Sequence, residues 1–210
     1  MPEISLSDRY PYSYTTLCYD YPPVSTRALD IFKPHEITKN LGVLFVHGGS
    51  WRAGTRTQFH LIMHALNQQG WVCGSLDYRL NQVSAWDQVA DVRLGRSLFT
   101  EHLKSEGCSG DLVMVGSSAG AHLMLLEAMS TQEPNAAGLV AVSAPLTFEP
   151  WPDMFPPIYA DMCAIAGASY ADHPELYRNL SPIHCISSKT PPICLLDGTN
   201  EHMFPSFLAD

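Results

Sequence analysis

Along the chain, apolar runs of strand length alternate with longer stretches whose apolar side chains recur every three to four positions. This pattern predicts a mostly parallel sheet with helices on both faces, because parallel strands are covered on both sides and read as near-continuous apolar runs. Strands are predicted at residues 12–21 and 27–32, parted by Pro22 and Pro23, and then at 42–46, 71–78, 112–115, 139–143 and 192–196. Helices are predicted at 59–69, where Phe59, Ile62, Met63 and Leu66 share a face, and at 89–103, through Val89, Val92, Leu98, Phe99 and Leu103 with Gly107 as the stop. A third is predicted at 119–129. Residues 146–190, rich in proline and aromatic side chains, predict a cap-like insertion over the carboxyl edge of the sheet.

Composition narrows the class. A chain of 210 residues with 46% hydrophobic and 16% charged residues suits a single domain, 1–210, with one sizeable core. The net charge of −9 argues against nucleic acid and against anionic membrane surfaces. No apolar run approaches the roughly 20 residues of a membrane span, and residues 1–16 lack the apolar core of a secretory signal. A soluble, cytoplasmic protein is expected. The six cysteines are scattered without a C-x-x-C pair, so no metal site is expected and free thiols are. Cys73 and Cys194 lie in apolar strand-like runs and are expected to be buried.

Two motifs carry chemistry. Gly116-Ser117-Ser118-Ala119-Gly120 is a G-x-S-x-G placed after a predicted strand and before a predicted helix. A serine nucleophile on so sharp a turn needs small neighbours, and the helix behind it aims backbone N–H groups at the developing oxyanion. Ser118 is the candidate nucleophile, and Ser117 points away from the apex. His47-Gly48-Gly49-Ser50-Trp51 ends an earlier strand, where a glycine pair lets backbone donors approach a substrate. Gly48, Gly49 and Ala119 are therefore the expected oxyanion donors. His47 is expected to brace the loop more than to move protons. Trp51 is either loop packing or a wall of the substrate pocket.

The HGGSW loop, Asp77-Tyr78-Arg79-Leu80, and GSSAGAHL at 116–123 together resemble the α/β-hydrolase superfamily, in its branch of kynurenine formamidases and small carboxylesterases related to hormone-sensitive lipase. The likeness runs from Val43 to Pro205. Ser117 departs from the family's pattern, which often carries histidine or aspartate there. The resemblance implies that 191–201 is the strand and turn bearing the triad acid, which falls on Glu201, with Asp197 as the alternative. In this fold the base follows the acid after one more strand. Only nine residues follow Glu201, so the resemblance implies a chain apparently lacking the last strand and helix, and His202 is the one histidine after the acid. His173 and His184, in the insertion, are weaker alternatives, and His122, on the helix behind the elbow, is expected to face the core or solvent.

The expected function is hydrolysis of a small carboxylic ester or aryl amide, of carboxylesterase or arylformamidase type, through an acyl-serine intermediate and without metal or organic cofactor. Trp151 and Phe155, with Met154 and Tyr159, would wall an apolar pocket. The competing reading is a binding protein of the same fold without a working base. An unpaired strand at 192–196 would present a sheet edge that recruits a second copy, the N-terminus or an aggregate.

Overall fold

The computed structural model describes residues 13–19, 27–80, 83–130, 136–199 and 204. Seven strands form one sheet in the order β1-β2-β4-β3-β5-β6-β7. They are β1 Thr15–Cys18, β2 Ala28–Phe32, β3 Gly42–Val46, β4 Cys73–Leu76, β5 Leu112–Ser117, β6 Ala136–Val142 and β7 Ile193–Leu196. β1, β2 and β4 pair antiparallel, and from β4 through β3, β5 and β6 to β7 every pairing is parallel. The expected sheet is present, with shorter strands at 15–18 and 73–76. Residue 12 and residues 20–21 of the first predicted strand lie outside the described residues.

β3 shows why the sheet is buried on both sides. Val43 and Phe45 face a cluster with Phe32, Met63 and Cys73, whereas Leu44 and Val46 face the larger core. The first cluster is closed by α1, His60–Asn67, which follows a 3₁₀ turn at Arg56–Phe59. The larger core is covered by α2, Ala85–Ser105, and α3, Ala119–Ser130. α2 begins four residues before its predicted start. Ser84 accepts from the Asp87 N–H while the Asp87 carboxylate accepts from the Ser84 N–H, a reciprocal cap that satisfies two otherwise orphaned donors.

Residues 119–128 of α3 are all buried. Glu127 on that helix is paired with Arg96 at 3.0 Å and Arg93 at 3.4 Å. Burial raises its carboxyl pKa, against the pull of both guanidinium groups.

Between β6 and β7 the chain forms α4, Pro156–Ala166, and α5, Pro174–Asn179. Each has proline in its first turn, where the missing N–H costs nothing. Gly167 ends α4 with φ at +80°. Phe148, Ile158, Met162, Ile165, Tyr177 and Leu180 of this segment sink into the larger core. All six cysteines are free thiols. Cys73 is buried, as expected, and burial pushes its thiol pKa up to about 12. Cys194 is exposed, contrary to expectation, because β7 is the last strand of the described sheet and alternate residues of it face outward. Cys18 is exposed on β1, at the opposite rim.

Candidate active site

β5 runs into α3 with no intervening loop, so one residue must reverse the chain. That residue is Ser118, whose φ of +50° is left-handed, a conformation that costs a side-chain-bearing residue about 1 kcal/mol or more. The turn is fixed on both sides. The Ser118 N–H donates to the Val142 carbonyl at 2.8 Å, and the Ser118 carbonyl accepts from the His122 N–H at 3.1 Å. Small neighbours make it feasible. A Cβ on Gly116 would lie 2.5 Å from Ala121 Cα, and one on Gly120 would lie 2.2 Å from the His47 carbonyl oxygen.

The loop after β3 meets this turn. A Cβ on Gly48 would lie 2.8 Å from the Ser117 carbonyl oxygen and 3.2 Å from Ser118 Cβ. The next three residues all have positive φ, at 131° for Gly49, 51° for Ser50 and 59° for Trp51. The loop folds on itself, with the Gly49 carbonyl accepting from the Arg52 and Ala53 N–H groups. No hydrogen bond to another described residue engages the N–H groups of Gly48, Gly49 or Ala119. Ser118 and Gly48 thus lie side by side, with these N–H groups unengaged by another described residue. A shallow hollow opens beside them, lined by Gly49, Ser50, Arg52 and Ala53.

Buried polar groups hold the loop in place. His47 donates from Nδ1 to the Gly48 carbonyl at 2.9 Å and stacks on Tyr78, with ring centroids 4.4 Å apart. Tyr78 in turn donates to the His47 carbonyl at 2.8 Å. Burial lowers the His47 pKa, against the Gly48 carbonyl and Asp77, so the ring braces the loop in its neutral form. Nε2 of His47 stands 3.6 Å from Asp77. Asp77 is paired with Arg56, and the Arg56 guanidinium also reaches Asp30 at 2.9 Å. Burial drives the Asp30 pKa up, yet hydrogen bonds from His60, Thr16 and Arg56 outweigh it and hold the carboxyl below its ordinary range. Arg56, Asp30, His60 and Thr16 are absent from the sequence expectations; they lie on the 3₁₀ turn, β2, α1 and β1, and none stands in a recognisable motif.

Trp51 takes the packing role. Its ring is 3% exposed and meets His122 and Phe148 edge-on, so it offers no wall to a substrate. Gln88 of α2 donates to the Trp51 and Arg79 carbonyls at 2.7 and 2.6 Å. Trp151 is half-buried with its ring 6.3 Å from that of Phe204, and Phe155 is 49% exposed just ahead of α4. Glu201 and His202 lie outside the described residues. Asp197 is exposed, immediately after β7. Among the described residues no histidine side chain is hydrogen-bonded to the Ser118 hydroxyl; His173 occupies the N-cap position of α5, and His184 pairs with Glu149 at 2.7 Å.

Residues 29–207 match the BD-FAE family model. Two esterases of Mycobacterium tuberculosis are similar: LipQ, 29% identical across 77% of this chain and 42% of its own length, and LipC, 26% identical across 84% and 49%. The chain thus spans about half the length of these curated relatives. Among solved structures, Thermogutta terrifontis esterase 2 phosphonylated by sarin superposes with a TM-score of 0.75 at 22% identity, covering 94% of this chain and 78% of that one. Esterase B from Lactobacillus rhamnosis gives 0.74 at 20% identity, over 90% and 66%. At these identities the structural likeness establishes the α/β-hydrolase fold.

Proposed function

The chain belongs to the BD-FAE family, a hormone-sensitive-lipase-like branch of the α/β-hydrolases, and on that premise we propose that it hydrolyses small carboxylic esters through an acyl-Ser118 intermediate. The observation that carries the reading is Ser118 held at φ +50° against Gly48, between N–H donors that no described residue uses.

In the proposed reaction Ser118 Oγ attacks the ester carbonyl carbon and its proton passes to a base. The carbonyl oxygen becomes anionic within the Gly48, Gly49 and Ala119 donors. The bond to the alcohol oxygen then breaks as the base protonates that oxygen. Water repeats the sequence on the acyl group, releasing the acid and restoring Ser118. Glu201 is the proposed acid, with Asp197 the alternative, and His202 is the proposed base. Sheet register supports that region. Ser118 is bonded to Val142 at the end of β6, and the Ser143 N–H is bonded to the Leu196 carbonyl at the end of β7. Residue 197 therefore leaves the sheet two strands from the nucleophile, about 10 Å across.

Aryl amides, arylformamides included, undergo the same steps and are the second proposed substrate class, with Trp151 and Phe155 offering an apolar surface to the acyl or aryl group. A fluorophosphonate probe together with a short-chain nitrophenyl ester tests the proposal. Labelling and turnover that vanish in Ser118→Ala and persist in Ser117→Ala are expected. Absence of both in the unaltered protein would favour a non-catalytic binding role.

A further inference from the structure

Resting on that reading, we propose that His122 is a positioning residue which ties the oxyanion loop to the segment between β6 and β7, so that the seating of that segment sets where the Gly48 and Gly49 donors stand. His122 occupies the first turn of α3, four residues after the nucleophile, and is fully buried. Its two ring nitrogens face different parts of the chain. Nδ1 accepts from Trp51 Nε1–H at 3.2 Å, which leaves the ring proton on Nε2, and Nε2–H donates to the Leu180 carbonyl at 2.7 Å. The ring is also stacked on Phe148, with centroids 4.4 Å apart and planes 19° from parallel. One imidazole thus joins the loop after β3, the elbow helix and both ends of the intervening segment.

A second tether runs in parallel. Arg52, the residue after Trp51, reaches Asp161 of α4 at 3.0 Å. The loop needs such anchors, because Ser50 and Trp51 both hold left-handed backbone angles that relax unless surrounding contacts impose them. Trp51 is only two residues from Gly49, so a shift of its indole moves the donors directly. Neither Trp51 nor His122 faces the reacting atoms in this scheme. Their effect falls on transition-state binding, where a misplacement of about 1 Å costs on the order of 100-fold in rate.

Three variants separate positioning from plain packing. Trp51→Phe keeps the ring contacts and removes the Nε1–H. His122→Phe keeps the stack on Phe148 and removes both hydrogen bonds. His122→Gln retains one acceptor and one donor. With a nitrophenyl ester, the first two should lower kcat about 10- to 100-fold with KM within about twofold. His122→Gln should recover most of that loss. The affinity of a trifluoromethyl ketone, which mimics the tetrahedral intermediate, should weaken in step with kcat. Arg52→Ala, a change at an exposed side chain, should give a smaller kcat loss in the same sense. Full kcat in folded Trp51→Phe, or equal losses in His122→Gln and His122→Phe, would overturn the inference. If His122→Phe does not fold, Trp51→Phe and Arg52→Ala decide it. Ser118→Ala keeps the two levels apart: turnover surviving it overturns the underlying reading, whereas turnover lost there but untouched in Trp51→Phe overturns the tether alone.

Discussion

Gly48 and Ser118 are packed so closely that a methyl group on the glycine would sit 3.2 Å from the serine Cβ and 2.8 Å from the Ser117 carbonyl oxygen. Both atoms belong to a turn that is itself pinned to β6, so neither can yield cheaply. Gly48→Ala should therefore push the loop off the elbow and cost about 100-fold or more in kcat, the scale of one lost oxyanion donor. Steady-state kinetics with a nitrophenyl ester, alongside circular dichroism to confirm folding, measures it.

The backbone of Ser118, the proposed nucleophile, is a source of instability. Glycine adopts φ near +50° without the clash that serine bears. Ser118→Gly should abolish turnover and stabilise the protein by about 1 kcal/mol, a rise of roughly 2–4 °C in melting temperature for a chain of this size. Calorimetry on the two proteins checks the sign.

Burial holds His122 neutral, pushing its pKa down to about 4 from 6.5, with the Leu180 carbonyl pulling the other way. The folded state therefore resists a proton that the unfolded chain accepts. Stability from this source is whole above pH 6.5, falls as pH drops between 6.5 and 4, and is flat below. The loss is on the order of 3 kcal/mol. Melting temperatures recorded across that window should fall less steeply in His122→Gln than in the parent.

Arg56 stands between two buried carboxylates, Asp30 and Asp77. Arg56→Met should destabilise the protein by about 3–5 kcal/mol, since it leaves both anions without their counter-charge. The double variant Asp30→Asn, Arg56→Met should regain part of that loss. Chemical denaturation of the parent, both single variants and the double variant measures the coupling.

Much of this was legible in the residues. β3 and the strand before Ser118 are apolar on both faces and announce themselves as central strands, and the glycines of 116–120 and 48–49 had no better use than the tight contact they make. Other parts were hidden by distance. The start of α2 lay in Ser84 and Asp87, a local capping signal that the apolar spacing from Val89 onward obscured. The helices α4 and α5 begin at prolines, which read as loop until their place in a first turn is known. Trp51 was ambiguous because only the fold brings Phe148 and His122 to it. The exposure of Cys194 is hidden in the sequence because an apolar run does not say which strand ends a sheet.

That last residue gives the sheet a pair of built-in handles. Cys18 and Cys194 are the two exposed thiols, and strand order puts them on opposite rims, six strand spacings or about 29 Å apart before twist. Cys73 between them is shielded, with its pKa raised to about 12. With the half-buried Cys108, Cys163 and Cys185 changed to serine, a spin label or dye pair on the two rims becomes a ruler laid across the sheet. It falls in the range that dipolar spectroscopy and energy transfer read, and it would report separation of the rims during unfolding without touching Ser118.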